Sequence, residues 1–106
     1  MAEHCTKVEM TPSTLKTIRE GLRKVVEAGT GAGLNGPGIP PAAGKTGTAE
    51  DSTGGPDHAW FGCYAPYPDG EIVVVAFAQN TPGGGSVHAL PMAKKVLAEW
   101  ERTRQR

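Results

Sequence analysis

The residues best suited to chemistry stand together in Gly44-Lys45-Thr46-Gly47-Thr48-Ala49-Glu50. A lysine, two hydroxyls at alternate positions and two glycines fit the recognition of an anion. Lys45 supplies a fixed positive charge, Thr46 and Thr48 offer hydroxyls, and Gly47 has no side chain to hold a ligand off the backbone. One anion that suits this set is a phosphate in a glycine-rich loop of the form G-x-x-x-x-G-K-[ST]. That pattern needs a glycine at the position held by Ile39, and the nearest is Gly38. It also needs a helix directly after the loop, whose N-terminal amides face the phosphate. Asp51-Ser52-Thr53-Gly54-Gly55-Pro56 follows instead and cannot be that helix. The other anion is a carboxylate bound along a strand. There Lys45 pairs with the carboxylate, and it can also tune the pKa of a neighbouring proton-transfer group. Thr46 and Thr48 bond to the same carboxylate, and a strand N–H directed into the cleft helps to form an oxyanion hole.

A strand at that place needs a scaffold, and the chain is small. Its 106 residues make one domain with a thin core. Lys+Arg 11 balances Asp+Glu 11, which argues against a nucleic-acid partner, since such proteins carry a basic excess. Gly 15 and Pro 9 give roughly twice the average share of these residues. That excludes a simple helical bundle and predicts many turns. Cys5 and Cys63 are too few for a disulfide framework or a four-cysteine zinc site. No apolar stretch approaches the roughly 20 residues of a membrane span, and no signal peptide is read.

Pro12–Ala28 reads as a helix. Thr11 is its N-cap, Pro12 its first position and Gly29 its stop. Leu15, Ile18, Leu22, Val25 and Val26 form its apolar stripe. Gly29–Pro41 is too rich in Gly and Pro for anything but a loop. Three extended segments follow, roughly Ala42–Ala49, Ala59–Ala65 and Ile72–Ala78. Pro68-Asp69-Gly70 turns the last two into an antiparallel hairpin. Their sequences are apolar on both sides, which predicts a sheet covered on both faces. A second helix begins at about Val87 or Pro91 and ends at Arg104, with Met92, Ala93, Val96, Leu97 and Trp100 buried. The expected fold is α+β: a three-stranded antiparallel sheet with the N-terminal and C-terminal helices on opposite faces.

Five blocks agree, in order, with one family: GLRKVVEAGTG, AGKTGTAE, HAWFGCYAP, EIVVVAFAQN and GGGSVHALPMAKKVL. Together they resemble the C-terminal part of the transpeptidase domain of class B penicillin-binding proteins of the elongation type, from about Thr11 to Trp100. Lys45-Thr46-Gly47 then stands as the K-T-G motif of serine acyl-transfer enzymes that act on D-alanyl peptides and β-lactams. The resemblance implies that residues 1–106 are a single partial domain with part of the penicillin-binding and β-lactamase-like transpeptidase fold. It implies that Lys45, Thr46, Gly47 and Thr48 bind substrate, with the Thr48 amide serving the oxyanion hole. The partner implied is a peptidoglycan stem peptide or a β-lactam, with no cofactor and no metal. The parent enzyme would be anchored in the inner membrane with this domain in the periplasm.

The chain departs from the family at its nucleophile. The family needs an S-x-x-K and an S-x-N motif far upstream of K-T-G, and no S-x-N is present. Ser13-Thr14-Leu15-Lys16 has the S-x-x-K spacing, but it lies in the helix just before the K-T-G strand, too close for the family's order. It reads as an exposed first-turn serine. No catalytic residue is therefore assigned, and the chain alone is expected to be inactive. The alternative is an independently encoded, non-catalytic binding or assembly module of the same fold. The family sheet has five strands, so Ile72–Ala78 is expected to lack a neighbour on one side and to support self-association there.

The remaining candidates have plainer readings. Asp57-His58 can orient a general base, or simply lead into the second strand, which is preferred. His4 and His88 lack partners at metal spacing. Trp60, Phe61 and Tyr64 are read as sheet packing, and Cys63 as a small core residue. Gly83-Gly84-Gly85 can form an anion nest, but reads better as the tight lead into the last helix. Glu101–Arg106 is read as a solvated tail.

Overall fold

The computed structural model describes residues 5–81 and 84–104. The first helix, α1 (Pro12–Ala28), has the limits that its capping residues predict. The Thr11 hydroxyl accepts from the Thr14 N–H at 3.2 Å, and the Gly29 N–H closes on the Val25 carbonyl at 3.0 Å. Three strands follow: β1 (Ala43–Ala49), β2 (His58–Ala65) and β3 (Ile72–Ala78). They form one antiparallel sheet in the order β1-β2-β3. The β2–β3 connection closes through Gly70 and Glu71, whose N–H groups donate to Pro66 and Ala65 at 2.8 and 2.7 Å. Gly70 has φ 81, a left-handed value at which glycine carries no Cβ penalty. A single π-helical turn, Gly85–Ala89, leads into α2 (Leu90–Arg104).

The helices lie on opposite faces, as expected. Strand alternation puts Ala59, Phe61, Cys63, Ala65, Val74 and Ala76 on one face, and all are buried with Leu90, Ala93 and Leu97 of α2. Val26 at the end of α1 and Leu34 in a short 3-10 turn (Ala32–Leu34) belong to the same cluster. The other face carries Lys45, Trp60, Gly62, Tyr64, Val73, Val75 and Phe77, and α1 covers only part of it. The Arg23 guanidinium anchors α1 by donating to the Ala42 carbonyl at 2.7 Å, just before β1 begins.

Two expectations change. Coverage of both faces is incomplete: Val73, Val75 and Phe77 are 75%, 64% and 42% exposed. Apolar residues on both sides of β3 are thus matched by cover on one side only. In α2 the buried stripe is Leu90, Ala93 and Leu97, whereas Met92 and Val96 face solvent. Helical periodicity allows two neighbouring stripes here, and contact with the sheet selects the one that includes Leu90. Glu101–Arg104 forms the last turn of α2, within the helix limit read from the sequence, and Arg102–Arg104 are exposed, as the tail reading has them. Arg104 bonds to Glu101 at 2.6 Å, reaches Glu71 at 3.3 Å and stacks over Trp100 at 4.6 Å. Residues 105–106 lie outside the described residues.

Candidate functional site

The four residues singled out in the sequence lie in a row on β1, at the edge of the sheet. Pairing with β2 occupies only one side of an edge strand, so alternate backbone groups of β1 face away from the sheet. Lys45 and Gly47 take the α1 face and Thr46 and Thr48 the α2 face. A ligand along the free edge can therefore be met from above and below, but no single face presents all three side chains of Lys45, Thr46 and Thr48. Lys45 is exposed, and its ammonium donates to the Thr46 carbonyl at 3.0 Å. Thr46 is half-buried, with its hydroxyl 2.9 Å from that of Thr30. Thr48 is exposed.

Behind β1 the chain returns as Gly84-Gly85. A Cβ on Gly85 would collide with the Trp60 carbonyl oxygen and stand 3.0 Å from the Gly47 nitrogen. A Cβ on Gly84 would stand 2.9 Å from the Thr48 hydroxyl. The glycine run thus forms the close lead into α2 that the sequence suggested, and it presses on the K-T-G strand as it does so. Gly83 lies outside the described residues.

A second polar constellation surrounds Asp51, at the end of β1. Its carboxylate accepts from the Thr53 hydroxyl at 2.7 Å, the Asn80 amide at 2.9 Å, and the Thr53 and Gly55 N–H groups at 3.2 Å. The Thr53 hydroxyl, then the Thr53 N–H, with Asn80 and Gly55 behind them, holds the Asp51 pKa down at about 2. His58 Nδ1 accepts from the Asn80 N–H at 3.0 Å, which leaves the other ring nitrogen facing Asp51 at 3.9 Å. The carboxylate beside His58 is therefore Asp51, while Asp57 is exposed. These bonds join the β1–β2 loop to the end of β3, a structural task. Because the folded pKa is depressed, the stabilisation is full above the unfolded pKa near 4 and is lost as pH falls towards about 2. The gap in urea midpoint between wild type and Asp51→Ala is expected to be full at about pH 5 and to close over that window.

The other candidates fall into place. Ser13 is exposed, and its hydroxyl lies 3.1 Å from that of Thr11, within the helix cap. Phe61 and Cys63 are core residues, and burial pushes the Cys63 thiol up to about 11. Trp60 departs from the packing expectation: it is 40% exposed, against Phe77 at 4.5 Å between ring centroids. His4 lies outside the described residues. Two features were not foreseen. One is the Thr30–Thr46 contact, which joins residues 16 positions apart with no local signal. The other is an apolar groove of about 550 Å³ beside Lys45, between Leu15, Ile18 and Leu22 of α1 and the sheet face at Tyr64 and Val73. Among the described residues the Tyr64 hydroxyl, buried there, has no hydrogen-bond partner.

Comparison with known proteins agrees with this architecture. Residues 2–98 match the family described as the penicillin binding protein transpeptidase domain. A peptidoglycan D,D-transpeptidase, MrdA, of Haemophilus influenzae is 37% identical over 98 residues, covering 77% of this chain and 15% of that protein. The MrdA of Acinetobacter baumannii is 32% identical over 103 residues, covering 84% of this chain and 15% of that protein. The chain thus spans about 15% of the length of these relatives. Among solved structures, the D,D-transpeptidase domain of a peptidoglycan glycosyltransferase from Eggerthella lenta superposes with a TM-score of 0.67 at 28% identity, over 92% of this chain and 24% of that one. A chain of a peptidoglycan synthase complex superposes with a TM-score of 0.69 at 40% identity, over 90% of this chain and 17% of that one.

Proposed function

This chain belongs to the penicillin-binding protein transpeptidase domain family, and on that premise we propose that β1 is the carboxylate-binding K-T-G strand of a peptidoglycan D,D-transpeptidase. The observation that carries this reading is the placement of Lys45, Thr46, Gly47 and Thr48 on an open sheet edge. An extended peptide can add to such an edge as a further strand, using the backbone groups that β2 leaves unpaired. Lys45 attracts the terminal carboxylate of a D-alanyl-D-alanine peptide or the ring carboxylate of a β-lactam. The Thr46 and Thr48 hydroxyls bond to it, and Gly47 lets the ligand lie against the strand. In the whole enzyme the Thr48 N–H stabilises the oxyanion as a serine attacks the carbonyl. That serine is expected in an S-x-x-K motif other than Ser13-Thr14-Leu15-Lys16, and the whole enzyme sits in the inner membrane with this domain in the periplasm.

Two results are expected. Fluorescent penicillin leaves no covalent label on the denatured chain, and stoichiometric labelling at Ser13 would overturn the non-catalytic assignment. Benzylpenicillin titrated into the 15N-labelled chain shifts the Lys45–Thr48 amides, and Thr48→Val weakens this about tenfold, the weight of one hydrogen bond to a charged group. Unmoved amides at saturating ligand would refute the K-T-G reading.

We also propose that β3 pairs with a second copy. Its outer edge is unpaired among the described residues, and Ile72–Ala78 carries no charge and no proline to protect it. Sedimentation is expected to show concentration-dependent dimers, and a monomer at every concentration would exclude them.

A further inference from the structure

We infer that residue 84 sets the position of the Thr48 hydroxyl, which makes Gly84 a positioning residue of the carboxylate site. The inference rests on the K-T-G reading above for its functional consequence, but its structural part stands alone.

Three observations converge on it. Gly84 has φ 76 and ψ −173, a region that is essentially open to glycine alone. The Cβ that any other residue would bring lies 2.9 Å from Thr48 Oγ1, a separation that real Cβ atoms essentially never show. The segment also has little room to retreat. Gly85 is buried, and its own Cβ position meets the Trp60 carbonyl and the Gly47 backbone. On the same side, the Gly84 carbonyl accepts from the Val87 N–H at 3.3 Å, which ties it to the turn that starts α2.

A side chain at position 84 must therefore be accommodated by Thr48. The strand backbone is held by its pairing with Ala59 of β2, so the movable part is the Thr48 side chain, which has only staggered positions to choose from. A methyl at position 84 drives the hydroxyl out of its present rotamer, and with it one donor to the ligand carboxylate. The absence of a side chain at Gly84 thus decides where the Thr48 hydroxyl stands, although Gly84 touches no ligand itself.

Three measurements on the chain test this. Three-bond couplings to Thr48 Cγ2 report its χ1 rotamer without any ligand, and they are expected to change in Gly84→Ala. Thermal unfolding of Gly84→Ala, Thr48→Ala and the double variant forms a cycle that isolates the contact. The loss in Tm caused by Gly84→Ala is expected to be clearly smaller when the Thr48 hydroxyl is absent. Titration with benzylpenicillin is expected to show affinity about tenfold weaker for Gly84→Ala, again the weight of one charged hydrogen bond. Unchanged couplings together with an additive cycle would overturn the inference. A wild-type chain that binds no benzylpenicillin would overturn the K-T-G reading instead, leaving the couplings and the cycle to decide the role of Gly84. Should Gly84→Ala fail to fold, Gly84→Ala in the Thr48→Ala background decides. Recovery of folding there supports the contact, and continued failure refutes it.

Discussion

Gly85→Ala is expected to destabilise the chain by about 3 kcal/mol or more, the upper range for forcing extra volume into a packed site. A methyl there would collide with the Trp60 carbonyl oxygen and stand about 3 Å from both the nitrogen and the oxygen of Gly47. All three atoms are backbone, so no side chain can rotate away. Either the lead into α2 must lift or β1 and β2 must part, and both movements open the core. Domains of this size are stable by only about 5–15 kcal/mol, so the substitution removes a large share. By thermal unfolding, a fall in Tm of roughly 15 °C is expected. Gly21→Ala is the control. Gly21 sits mid-helix in α1 with nothing within 4 Å of its Cβ position, and alanine there should stabilise by about 0.5–1 kcal/mol. A Gly85→Ala variant as stable as wild type would show that α2 is less firmly seated on the sheet than described.

Phe61→Ala is expected to cost about 3–5 kcal/mol, the usual range for emptying a fully buried aromatic site. Phe61 is 0% exposed and is the largest of the fully buried side chains. It lies on the central strand, with Thr46 as its β1 partner and Ala76 as its β3 partner. Alanine and threonine on either side are too small to close the space, so the cavity should persist. Urea denaturation gives the loss directly, and an unchanged slope would show that the compactness of both states is kept. Because Thr46 shares the sheet face with Phe61, the same substitution should loosen the strand that carries the candidate site. A loss below about 1 kcal/mol would mean that α2 collapses into the vacated volume.

Local chemistry was the legible part of the sequence. The limits of α1 follow from Thr11, Pro12 and Gly29 alone, because a cap acts within one turn. The hairpin between β2 and β3 follows from its turn residues, and the K-T-G row was placed on its strand. Choices made by distant partners were hidden. Met92 and Val96 satisfy the helical period as well as Leu90 and Leu97 do, and only the sheet distinguishes them. The carboxylate beside His58 comes from Asp51 rather than the adjacent Asp57, because the loop folds back. Asp51-Ser52-Thr53-Gly54 carried a turn signal that could have pointed to this. The bare flank of β3 was hidden for another reason. Apolar residues on a strand report that cover is wanted, and do not say which part of a chain supplies it.

The bond from the Lys45 ammonium to the Thr46 carbonyl has a bearing on affinity. The bond takes one of the three N–H donors of the ammonium and leaves two for an arriving anion, so the side chain is held along its own strand while its charge stays available. If β1 binds a carboxylate as proposed above, the lysine is partly ordered before the ligand arrives, and less of its rotamer freedom is lost on binding.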